Sequence, residues 1–212
     1  MGDNPSIQEL HESMDYEFIE ELPIGEIKEF VVKQIRKGGW MIRVYMIYQF
    51  GMVILGLAFA VLGIIRFFRG ENRNLTFILY SLFFSFTLLI PIHELLHGLS
   101  LKIVGAPRVT YGANLKKFVF YAEADHFVLN RKKFNLVALA PLVVIKIVSL
   151  AGIIIFFSHP AACFFVLLMC LHSLFCAGDI GLLSVFYNDG DREIYTYDDK
   201  AEKKSYYFAR KK

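Results

Sequence analysis

The chain has 212 residues, of which 56% are hydrophobic, 16% aromatic and only 20% charged, with a formal net charge of +3. That apolar share is above the range of soluble domains, and uncharged stretches of about 20 residues recur, so an ordinary water-soluble domain is excluded. The basic residues are spread over three separate segments, which reads as membrane topology and excludes a nucleic-acid footprint.

Residues 1–40 form a polar N-terminal segment around Pro23 and Gly25, in which EIKEFVVKQI suits either a strand or a short helix near the headgroups. No cleavable signal peptide is expected, so the first apolar run acts as its own insertion signal. Four spans follow, making a membrane domain over 41–187 and a C-terminal tail over 188–212. Val44–Ile65 carries no charge and covers roughly 33 Å, enough for the hydrocarbon core. Leu75–Leu101 is the second span, with Pro91 expected to bend it and free the carbonyl of Thr87. Phe134–Phe157 is the third, interrupted by Pro141 and carrying Lys146, and Ala161–Tyr187 is the fourth.

Between the second and third spans, about 106–130, β-branched and aromatic residues surround a Gly112-Ala113-Asn114 turn signal, which predicts a β-hairpin insert. The fold expected is therefore an all-α membrane protein of four helices with a small hairpin. Lysine and arginine cluster in the N-terminal flank, the 102–133 connection and the tail, so the positive-inside rule puts both termini in the cytoplasm of a multi-pass membrane protein. Cys163, Cys170 and Cys176 lie on one helix at spacings that exclude mutual disulfides and read as packing residues.

His93-Glu94-Leu95-Leu96-His97 fits H-E-x-x-H, in which histidines four apart share a helix face and can hold a metal while the glutamate activates water. Ionisable residues inside a span cost roughly 2.5–3.5 kcal/mol each on insertion scales, which favours a metal site over a chance pattern. Zinc suits imidazole and carboxylate donors and needs one more protein ligand. His93–His97 stand roughly 8–13 Å from the cytoplasmic edge and Asp179 roughly 12 Å, which makes Asp179 the expected third ligand. His172 falls about 10 Å deeper, out of reach of the same metal on a straight helix. It is left either to donate to a developing oxyanion or position substrate, or to pack against a backbone carbonyl.

His93-Glu94-Leu95-Leu96-His97-Gly98, Ala140-Pro141, and His172 with Gly178-Asp179 resemble the small bacterial membrane proteins described as "putative zincin peptidases", which are similar in turn to site-2-protease-type intramembrane metalloproteases. The resemblance covers roughly residues 75–190. It implies zinc on His93, His97 and Asp179, Glu94 as general base, and cleavage of a membrane protein or peptide substrate in or beside a bacterial plasma membrane. The site-2 proteases carry Asn-Pro before the aspartate and Gly-Pro-x-x-Asn on the intervening helix, where this chain has His172 and Ala140-Pro141-Leu142-Val143-Val144. Two alternatives are a non-catalytic metal-binding scaffold and a metal hydrolase acting on a lipid-like substrate.

Overall fold

The computed structural model of the chain describes residues 4–114, 119–188, 190 and 192–211. The protein is mostly helical. In chain order it runs α1 (Ile7–Glu12), β1 (Tyr16–Pro23), α2 (Ile27–Lys37), α3 (Trp40–Phe68), α4 (Arg73–Thr87), α5 (Leu89–Ile103), β2 (Thr110–Asn114), β3 (Val119–Glu123), β4 (Leu129–Asn130), α6 (Arg131–Ile155), α7 (Ala162–Phe175), α8 (Ala177–Asn188), β5 (Ile194–Asp199) and β6 (Lys204–Arg210). The contacts divide it into two compact units, one of Met1–Ile42, Glu94–Ala140 and Gly178–Lys212, the other of Arg43–His93 and Pro141–Ala177.

The first unit holds the strands. β2 and β3 form the expected antiparallel hairpin. Gly112-Ala113-Asn114, read in the sequence as its turn, lies inside β2, and the turn falls outside the described residues. Gly112 is opposite Tyr121, and a Cβ there would stand 2.3 Å from the tyrosine ring, so the glycine serves a cross-strand packing need. A second sheet, not expected from the sequence, has the order β1-β6-β5-β4 with antiparallel pairing throughout. It joins the N-terminal segment, the tail and the end of the middle connection. Cross-strand aromatic pairs knit it together: Tyr197 stacks on Tyr206 at 5.2 Å, and Phe18 meets Phe208 edge to face at 5.6 Å. The helical segment EIKEFVVKQI contributes Phe30, which packs with Leu22, Phe186 and Tyr207 in the main core of this unit.

Asp198, on β5, accepts a hydrogen bond from Ser205 at 2.6 Å. Burial, reinforced by Glu123 and Asp125, pushes its carboxyl up from 3.8 to about 6. The folded state thus prefers the neutral acid, and the associated stability is full below about 3.8 and lost as pH rises through about 6. The sheet is expected to lose on the order of 2 kcal/mol over that window, and Asp198→Asn to flatten the dependence, as read by thermal unfolding from pH 4 to 7.

The second unit is all helical. Here α4 packs on α7 around Ile78, Cys163, Val166 and Cys170. Gly56 and Gly63 let α3 approach this pair closely: a Cβ on Gly63 would stand 2.4 Å from Ile78 of α4 and one on Gly56 3.3 Å from Cys170 of α7. The outward surfaces of α3, α4 and α6 are apolar, with Phe50, Leu57, Phe83, Ile147 and Ile154 all at least 60% exposed. α3 and α6 are each long and apolar enough to cross a membrane. Two further pairs reach that length only as broken helices, α4–α5 with a bend of 51° and α7–α8 with one of 46°.

Each break has a local cause. Pro91 lacks the N–H that would bond the carbonyl of Thr87, and α4 ends at that residue. In α7–α8 the small pair Ala177-Gly178 follows the break at Cys176. Pro141, by contrast, leaves α6 continuous, against the interruption expected from the sequence.

Candidate metal centre

Helix α5 carries His93, Glu94, His97 and Gly98, so the two histidines lie one turn apart on one face, and Glu94 and Gly98 share the adjoining one. Within the first unit, His97 is 9% exposed and held at both ring nitrogens. Nδ1 meets the carbonyl of Val137 at 2.9 Å, and Nε2 meets Asp179 Oδ1 at 3.1 Å. The carbonyl can only accept, so Nδ1 carries a proton, and Nε2 is the nitrogen turned toward the carboxylate. Asp179 stands in the first turn of α8. The sequence-level pairing of His97 with Asp179 is therefore present in the structure.

The Val137 carbonyl is available for a reason legible in the chain. In a helix it would accept from the N–H of residue 141, and residue 141 is proline. Pro141 leaves the helix intact and releases one acceptor, which His97 takes. Beside it, Tyr111 of β2 seats its hydroxyl against Gly98; a Cβ on Gly98 would stand 2.0 Å from that oxygen. The hairpin thus docks on the helix face that Gly98 shares with Glu94, a contact the sequence did not disclose because it depends on a missing side chain.

In the second unit, His172 of α7 is 1% exposed and its Nε2 lies 3.0 Å from Nδ1 of His93, itself 6% exposed. His172 thus reaches the first motif histidine, a contact that the depth count along the chain did not indicate. The depth of His172 was counted along a straight helix, and that helix is broken at Cys176. Cys176 is fully buried with its sulfur 3.8 Å from each ring nitrogen of His172. Cys163 accepts a hydrogen bond from Asn74 at 3.2 Å, and all three cysteines are free and buried, as packing residues would be. Lys146, whose partner could not be read from the sequence, hydrogen-bonds the Tyr48 hydroxyl and lies 3.8 Å from the centre of that ring.

Exposed Asp125 and His126 and half-buried Asp199 form another ligand-capable group, but their mutual bonds, His126 to Asp125 at 2.9 Å and to Asp199 at 3.5 Å, account for it as a clamp between the end of β3 and β5.

No curated protein and no solved structure matches the chain. A family profile described as "putative zincin peptidase" matches residues 86–192, a little over half of the chain, and spans His93, Glu94, His97, Val137, His172 and Asp179. The chain belongs to that family of zincin-type peptidases.

Proposed function

We propose that the chain is a membrane-embedded zinc metallopeptidase that hydrolyses a peptide bond in or beside the bilayer, with His93, His97 and Asp179 holding zinc and Glu94 acting as general base. The observation that carries this reading is the His97–Asp179 pair. An imidazole nitrogen and a carboxylate oxygen 3.1 Å apart nearly match the edge of about 3.3 Å between two ligands of a tetrahedral zinc ion. With Nδ1 donating to Val137, Nε2 is the nitrogen that can ligate. His93, one turn back on the same face of α5, supplies the third donor, and a fourth position stays open.

When bound, zinc would polarise the scissile carbonyl and acidify a water. Glu94 would take the proton of the attacking water and return it to the leaving amine. Val137 and Asp179 hold His97 in place, and the low exposure of the histidines keeps competing water out. An extended substrate segment would add to the β2–β3 hairpin, which docks beside Glu94's helix face through Tyr111 and Gly98.

Membrane topology draws support from the four-stranded sheet. β1 precedes α3, β4 precedes α6, and β5 and β6 follow α8, yet all four strands hydrogen-bond in one sheet. Strands on opposite sides of a bilayer cannot pair, so an even number of crossings separates each from the next. If α3 and α6 cross, the broken pairs α4–α5 and α7–α8 cross as well, giving four spans with both termini on one side, the cytoplasmic side by the distribution of lysine and arginine.

Pro141→Ala tests the local arrangement. It restores an N–H that competes with His97 for Val137, so zinc affinity should fall by up to about tenfold in chelator competition while helix stability rises; unchanged affinity would remove Val137 from the account. The function itself is tested by reconstituting the purified chain in liposomes with transmembrane peptides. Cleavage lost on chelation and restored by zinc supports the peptidase. Zinc-dependent release of lipid products instead would make it a lipid hydrolase, and zinc binding without either product would leave a scaffold.

A further inference from the structure

His93 and His172 face each other nitrogen to nitrogen at 3.0 Å, both buried within one helical unit. Two neutral imidazoles at that distance must divide the roles, one N–H donating and one lone pair accepting. We propose that His172 is a positioning residue: its Nε2 accepts the Nδ1 proton of His93 and so fixes the tautomer that presents the Nε2 lone pair of His93 to the metal. The proposal rests on the zinc reading for its consequence, while the contact between the two rings stands apart from it.

Two observations favour this role over others. The first is the parallel with His97, whose Nδ1 is likewise engaged by an acceptor, the Val137 carbonyl. In both motif histidines Nδ1 is engaged by the protein, the arrangement by which outer partners orient metal ligands. The second is the place of Cys176. With His93 and His172 it forms a trio whose donor atoms lie within 4.8 Å, so a second, thiolate-containing metal site is the rival account. The sulfur, however, is equally far, 3.8 Å, from Nδ1 and Nε2 of His172. It therefore lies on neither nitrogen's lone-pair axis, while Nε2 has His93 at 3.0 Å. A metal on the Nε2 lone pair would displace the very contact that brings the two histidines together.

The same Nε2 cannot also donate to an oxyanion while it accepts from His93. His172 therefore acts through His93 and is assigned no contact with substrate.

The test uses the full chain in detergent or nanodiscs. Nitrogen chemical shifts of His93 in the zinc-free wild type should report the Nδ1–H tautomer; the Nε2–H tautomer would overturn the proposal whatever the variants do. In chelator competition, His172→Phe, which keeps volume and removes the acceptor, should weaken zinc binding by about 10- to 100-fold. His172→Gln, which restores an acceptor oxygen, should recover most of the loss, and Cys176→Ala should stay within about threefold of wild type. Equal affinity for wild type and His172→Phe would refute the positioning role. A second zinc per chain, lost in both Cys176→Ala and His172→Phe, would replace it by the thiolate site. If wild type and His97→Ala alike hold no zinc, the zinc reading fails, while the tautomer measurement still decides the hydrogen bond.

Discussion

Replacing His97 by Ala should empty the metal site. Purified wild type is expected to hold about one zinc per chain and His97→Ala almost none after dialysis, as measured by elemental analysis. Apparent binding energies of structural zinc sites divide into about 3–4 kcal/mol per ligand, so one lost ligand weakens affinity by roughly a hundred- to a thousandfold. Asp179→Ala should do the same, because its Oδ1 is paired with Nε2 of His97 at 3.1 Å. The double variant should lose little more than either single one, since both changes disable one shared site. Full zinc retention in Asp179→Ala would move the third ligand elsewhere. The pair is also a polar contact between groups of low exposure, so both variants should lower thermal stability by about 1–3 kcal/mol, a separate readout.

Glu94→Gln should separate the chemistry from the metal. The amide preserves size and helix propensity on α5, so zinc content should match wild type within about twofold. Proton transfer is lost, and general acid–base catalysis commonly contributes about 10²–10⁴-fold, so peptide cleavage should fall by that much. The two variants therefore differ in kind: His97→Ala loses metal and activity together, Glu94→Gln activity alone. If Glu94→Gln cleaves at the wild-type rate, Glu94 is not the base and the hydrolytic mechanism fails. If it also complements fully in cells where deletion has a phenotype, the scaffold reading gains.

Local sequence carried much of the site. H-E-x-x-H states a helix face whatever the fold around it, and Asp179, singled out by its depth as a third ligand, lies 3.1 Å from His97. The long apolar runs of α3 and α6 declared two long helices, although Pro141 was read as interrupting the second, because lipid-length segments have a periodicity-free signature. Pro91 announced a broken second span. The contact of His172 with His93 was not legible, because a residue count converts to depth only along a straight helix, and this helix bends at Cys176.

The four-stranded sheet illustrates the other limit. Tyr16 pairs with Arg210 and Leu129 with Thr196, across nearly the whole chain in the first case. Each strand alone is short and aromatic, with nothing to name its partner, since backbone hydrogen bonds are the same for any register that the side chains permit. Likewise Pro141 was legible as a proline in a helix, but its use was not: only α6 packed against α5 brings the carbonyl it releases to within 2.9 Å of His97. Composition and spacing thus specified the candidate ligand residues and the length of the helices, which depend on residue type and helical rise alone. Which nitrogen of each histidine faces its partner, and which strands close the sheet, depend on contacts between distant segments, and those exist only once the chain has folded.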